Sequence, residues 1–228
     1  MAGTISMVEG VRSSMANKPA PKRPTWVAYD VESERLNHEV QGGWDNPFGF
    51  GFTVGCTTDH AGVKRAFSTH NSADARGRLL EYLLGYDRVV SFNGLRFDNG
   101  VIAGDDSIKR AQLDERTWDI KVLIERACSI DDKYGPHIVS LSSVAHASLT
   151  LGKMDGYIDG REAVRRWRRG EFQSVVDYCQ VDADLTADAY AYGLRHGYVL
   201  FEPARFPLMF NSAAPLVVKA KALWRMSD

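Results

Sequence analysis

An α/β domain with an antiparallel hairpin beside its first strand is the fold class this sequence predicts. Three observations predict it. An apolar run with strand character, Val27 to Glu32, is followed by two more strand-like segments separated by a tight turn. A helix-period leucine cluster comes next and leads into a short apolar strand, Arg88 to Phe92. From there onward helical patterns dominate, and strands interleaved with helices imply a sheet covered by helices.

The elements follow in order. Phe48 to Thr57 alternates large or β-branched residues with small ones and reads as the second strand. A turn over Asp59 to Gly62 then leads to a third strand over Val63 to Phe67. Asn71 or Ser72 can cap a helix over Ala73 to Leu84, whose stripe is Leu79, Leu80, Leu83 and Leu84. Asn93-Gly94 breaks the strand that ends at Phe92, and Arg96 to Ala103 reads as a short helix. Thr117 to Ala127 joins a strand end to a helix start around Trp118-Asp119. Ser140 is a natural N-cap for a helix reaching Leu151. A glycine-rich break over Gly152 to Gly160 precedes a basic helix, Arg161 to Arg169. Gly170 ends that helix, and a long one spans Glu171 to Arg195.

Composition narrows the functional classes. The chain has 228 residues, 44% apolar and 25% charged, with a formal net charge of −1. Nothing global drives it onto a polyanion, so a nucleic-acid site must be a local patch. Its three cysteines, Cys56, Cys128 and Cys179, are widely spaced, which argues against a disulfide framework or a zinc site and fits a reducing, cytoplasmic setting. No window is long and apolar enough for a membrane span, and residues 1–24 lack the apolar stretch of a signal peptide. Residues 1–24, rich in Ser, Ala, Lys and Pro, read as a flexible basic arm. Residues 25–202 form the domain, and residues 203–228 an extension that packs on it or meets a protein partner.

The chemistry begins at Asp30 and Glu32. Two residues apart on a strand, they share a face. Two carboxylates there call for a positive partner, most simply a hard divalent cation, unless the strand end stands in solvent. Asp98 follows the fourth strand and the Asn-Gly turn, near a helix start, where it is either an ordinary N-terminal Asp favoured by the helix dipole or a ligand at the edge where α/β sites gather. On the last helix, Val175, Tyr178, Asp182, Leu185, Ala189 and Tyr192 share a stripe, with Asp177, Asp184 and Asp188 opposite, on a solvated face. Asp182 on an otherwise apolar stripe needs a partner, because an unpaired buried charge is very costly, unless it sits at the solvent edge of the stripe.

Asp-x-Glu, Asn-Gly-x-x-Phe-Asp and Tyr-x-x-x-Asp therefore occur in that order. In them the chain resembles the DEDD, or DnaQ-like, 3′–5′ exonucleases of the ribonuclease-H-like fold. The likeness extends over Ser140-Leu141, Leu151-Gly152-x-Met154-Asp155-Gly156, Trp167-x-x-Gly170 and Tyr178-Cys179-x-x-Asp182. Asp177 stands five residues before Asp182, where the histidine branch has its histidine, which leaves the tyrosine branch and Tyr178. Ser33 replaces a common threonine, and the loop after Glu32 is long. The resemblance implies a ribonuclease-H-like mixed β-sheet flanked by helices, and two divalent ions, Mg²⁺ or Mn²⁺. Asp30 would bridge the two ions, Glu32 and Asp182 would complete the nucleophile-side ion, and Asp98 would hold the leaving-group ion. Tyr178 would orient the attacking water. The partner implied is the 3′ end of a single-stranded nucleic acid, DNA or RNA.

Asn93 and Phe97 are candidates for the terminal-nucleotide pocket, and Lys153 is either a phosphate contact or a plain surface lysine. Arg165, Arg166, Arg168 and Arg169 around Trp167 form either a backbone-tracking patch or a solvated face. A catalytically silent binding or assembly module and a structure-selective endonuclease are the competing functions on the same fold.

Overall fold

Alternation on the first strand organises the molecule. In this computed structural model, which describes residues 24–128, 139–150, 159–202 and 218–220, β1 spans Trp26–Glu32. Its Val27, Tyr29 and Val31 enter one core, and Ala28 enters another on the opposite face of the sheet. Asp30 and Glu32 share the face of Ala28.

β2 (Val54–Asp59) runs antiparallel to β1, and β3 (Lys64–Ser68) runs antiparallel to β2. β4 (Arg88–Ser91) lies parallel to β1 on its other side, and β5 (Thr117–Asp119) is parallel to β4. The resulting five-stranded sheet has the order β3-β2-β1-β4-β5. It is the expected ribonuclease-H-like mixed sheet, with the antiparallel hairpin directly after β1.

Helices α1 (Ala75–Leu84), α2 (Asp98–Ala103) and α3 (Ser107–Arg116) cover the Tyr29 face, where Leu79, Leu83, Ile102 and Leu113 pack. The other face receives α4 (Ile120–Ala127), α5 (Leu141–Leu149), α6 (Gly160–Arg168) and the long α7 (Phe172–His196). β6 (Val199–Phe201) pairs antiparallel with β7 (Val218–Ala220) in a separate ribbon. Ser140 caps α5 as expected, its hydroxyl accepting from the Ser143 amide at 3.1 Å.

Five local readings change. Phe48 to Thr53 is not strand: Pro47 starts a 3₁₀ turn over Pro47–Phe50, and Asn46 caps it by accepting from the Gly49 amide at 3.2 Å. α3 had no counterpart in the sequence reading, because only Leu113 of that helix is buried and no apolar stripe marks it. Its cap is clear in structure, with the Asp106 carboxylate accepting from the amides of Ile108 and Lys109. α1 begins at Ala75 rather than Ala73, since Asn71 and Ser72 are engaged in a turn onto the Ser68 carbonyl. The buried stripe of α7 also rotates: Val175, Cys179, Asp182, Ala183, Thr186, Ala189 and Tyr190 face inward, while Tyr178, Leu185 and Tyr192 are half-buried. Small residues at 179, 183 and 189 let the helix lie close on β1 and β2. Asp184 is not on a wholly solvated face; it accepts from Thr58 at 2.5 Å and Lys64 at 2.7 Å.

The arm at residues 1–23, the glycine-rich break at 151–158 and most of the extension at 203–228 lie outside the described residues. Leu79 is fully buried, whereas Ile108 is 71% exposed. Leu79→Ala should therefore lose about 2–5 kcal/mol in urea denaturation, and Ile108→Ala should stay within about 0.5 kcal/mol of the native protein.

Candidate active site

Three separate pieces of chain deliver acids to one edge of the sheet. β1 brings Asp30 and Glu32 at its C-terminal end, on the face that α7 covers. α7 brings Asp182, with Tyr178 one turn earlier. The turn after β4 brings Asp98 to the start of α2. All five line one cleft of about 900 Å³, together with Asn93 and Phe97. Every sequence-predicted site residue except Lys153 is thereby brought together; Lys153 lies outside the described residues.

Local chemistry explains each placement. Asn93 adopts a left-handed conformation, with φ of 76°. Gly94 has no room for a side chain, since a Cβ there would stand 2.5 Å from both Ser91 Oγ and Tyr29 Oη. Asp119, at the end of β5, locks this turn. Its carboxylate accepts from the amides of Asn93 and Leu95, both at 2.9 Å, and caps α4 through Val122 at 3.2 Å. Beside Asp98, the Asn99 side chain accepts from the Tyr29 hydroxyl and donates to Asp114 at 2.6 Å and Thr117 at 3.0 Å. The start of α2, and with it Asp98, is thus pinned to the core. Sequence reasoning gave neither Asp119 nor Asn99 a role; an Asp just before an apolar helix signals a cap, but not a second duty to a distant turn.

Cys179 is the other residue that only the structure brings in. Its sulfur lies within 4.8 Å of a carboxylate oxygen of Asp30 and one of Glu32. It points at the Asp30 carbonyl, 3.3 Å away, and joins the buried cluster with Cys56. Burial pushes its thiol well up, so it stays protonated and anchors α7 to β1.

The acids are crowded and dry. Glu32, Asp98 and Asp182 are 6%, 8% and 7% exposed. Burial, then the charges of Asp182, Glu32 and Asp98, raise the Asp30 carboxyl well above the usual carboxylate range. Burial and the charges of Asp182 and Asp98 do the same to Glu32. Burial and the neighbouring Asp119 push Asp98 up to about 8 against the pull of Arg110. Carboxylates crowded together at low exposure raise one another in this way. The donor set is all hard oxygen at the cleft floor, which suits Mg²⁺ or Mn²⁺.

The cationic residues divide. Arg168 turns away to bind Glu39 through both guanidinium branches, at 2.8 and 2.6 Å, and Arg169 binds Glu162 and Glu171. Arg166 pairs with Glu162, and Trp167 packs edge-on against Phe172. Of the basic helix, Arg161 and Arg165 line the cleft, joined by Arg35 and His38 from the loop after β1.

No protein-family model matches this chain, and no curated protein matches it by sequence. Among solved structures it is similar to a family B DNA polymerase from the hyperthermophilic archaeon Pyrobaculum calidifontis. That similarity has a TM-score of 0.54 and 14% identity, and covers 76% of this chain and 25% of the polymerase chain. The shared feature is the fold, and the chain spans about a quarter of that relative's length. No helix among the described residues is long and apolar enough to cross a membrane.

Two outcomes follow from the electrostatics. Without divalent cations the folded state holds extra protons on Asp98 between the ordinary carboxylate range and about 8, and on Asp30 and Glu32 above that ordinary range. The unfolded chain binds fewer protons there, so stability should fall as pH rises through that window. Glu39 and Asp59, held low by their partners, act only below that range. Urea midpoints measured in chelator should decline with pH, and Asp98→Asn should flatten the slope. Asp119→Ala removes three backbone hydrogen bonds to a charged acceptor and should cost about 2–4 kcal/mol, read by the same denaturation.

Proposed function

We propose that this protein is a divalent-metal-dependent nuclease that removes nucleotides from the 3′ ends of single-stranded DNA or RNA. It would work in the manner of the tyrosine branch of the DEDD exonucleases. The observation that carries this is the convergence of Asp30, Glu32, Asp98 and Asp182 on one open cleft, each buried or half-buried. A binding module gains nothing from holding like charges together at such a cost.

The residues fit a metal pair. Asp30 and Glu32 with Asp182 would hold one ion and Asp30 with Asp98 the other, and such ions polarise the phosphate and stabilise the oxygens entering and leaving phosphorus. Tyr178, one helical turn from Asp182 and lining the same cleft, supplies a hydroxyl that positions the attacking water. A phenol does this by hydrogen bonding rather than as a strong base. Asn93 and Phe97 border the acids and would receive the terminal nucleotide. Arg35, Arg161 and Arg165 on the rim would meet the backbone.

The test is a 5′-labelled oligonucleotide incubated with Mg²⁺ or Mn²⁺. A ladder shortening from the 3′ end, abolished by chelator, Asp30→Asn or Asp182→Asn, is expected. Tyr178→Phe should slow turnover about tenfold or more with little change in metal dependence. Cuts within a closed circular single strand would make the protein an endonuclease instead. Tight binding with no cleavage under any divalent cation would make it a binding module.

A further inference from the structure

The loop between β1 and β2 carries a side chain for which the described chain itself shows little use. Trp44 is 64% exposed, the most exposed aromatic among the large apolar residues described. Leaving so much apolar surface in water is unfavourable, and packing among the described residues gives no reason for it. Yet the indole is held firmly. One face stacks on Phe50, with centroids 5.1 Å apart and planes 27° apart, and Phe97 meets it edge-on at 5.4 Å. Its turn, Gly43–Asp45, starts after Gly42 with φ of 88°, and Gly43 itself has φ of 55°.

The loop is clamped by α6. Arg168 of α6 binds the Glu39 carboxylate through two branches and the Glu34 carbonyl at 3.0 Å. Arg168, together with the Leu36 amide, holds the Glu39 carboxyl down at about 2. The clamp is therefore intact throughout neutral pH. By contrast Phe48, the neighbouring exposed ring, has Arg76 over its face at 6.0 Å.

Trp44 borders the same cleft as the four acids, and Phe92 and Phe97 line it too. The lining of the cleft thus combines acids, arginines and aromatic rings. A polyanion with flat apolar faces matches that combination: a phosphodiester chain whose bases are unpaired. We infer that Trp44 is a stacking platform for an unpaired base of the bound strand, so that the β1–β2 loop makes the site select single-stranded ends. Bases in a duplex are already stacked and leave no face for the indole. This inference rests on the nuclease reading for the nature of the ligand, and its test separates the two.

Binding of a short oligothymidylate, its uridylate counterpart and an otherwise identical strand with abasic 3′-terminal positions is measured on the full chain. An Asp30→Asn background prevents turnover. Trp44→Ala should weaken the two base-bearing strands about 10- to 100-fold and leave the abasic strand nearly unchanged, while Trp44→Phe retains most affinity. Tryptophan fluorescence should be quenched by the base-bearing strands and not by the abasic one, and Trp44→Phe should abolish the quenching. Equal weakening of base-bearing and abasic strands, or no weakening at all, overturns the inference. Trp44-dependent binding in a protein that never cleaves would keep the platform and discard the nuclease. Cleavage by the native chain indifferent to Trp44→Ala would do the reverse.

Discussion

Like charges held together in a dry cleft are the constraint on which the rest of this structure depends. Asp30, Glu32, Asp98 and Asp182 repel one another, and burial removes the water that would otherwise soften the repulsion. Such a cluster persists only where the surrounding fold is stable enough to overrule it. The two cores on either side of the sheet supply that stability, and the acids sit at its edge.

The supporting structure is arranged around that strain. Cys179, protonated and fully buried, ties α7 to the backbone of Asp30. Asp119 spends its charge on three backbone amides and so holds the turn that aims Asp98. Asp119 is therefore an acid of another kind from the four: its carboxylate is taken up by three backbone amides and it does not line the cleft, whereas the four do. That contrast separates a structural carboxylate from candidate ligands more sharply than burial does, since Asp119 is the most buried of them at 2% exposed.

The walls of the cleft come from the parts of the chain least regular in pattern. The β1–β2 loop folds as three 3₁₀ turns rather than a strand, and a guanidinium from α6 fastens it across the gap. Aromatic and basic side chains thereby stand over the acids without belonging to the sheet. Within a shared fold, walls of this kind are free to vary and set which ligand enters.

The sequence alone determined which face of β1 holds its acids, because side chains on a strand must alternate. It also determined the short Asn-Gly reversal before Asp98 and the helical pairing of Tyr178 with Asp182. These are local rules, expressed within a few residues. Only the tertiary structure decided that Cys179 rather than Tyr178 lies in the core face of α7, since the exact rotation of a helix depends on how closely small residues let it approach the sheet. It alone decided that Asp119 serves a turn more than twenty residues back, and that Arg168 leaves the basic patch to bind Glu39. Those outcomes depend on contacts between distant segments, which no local pattern encodes.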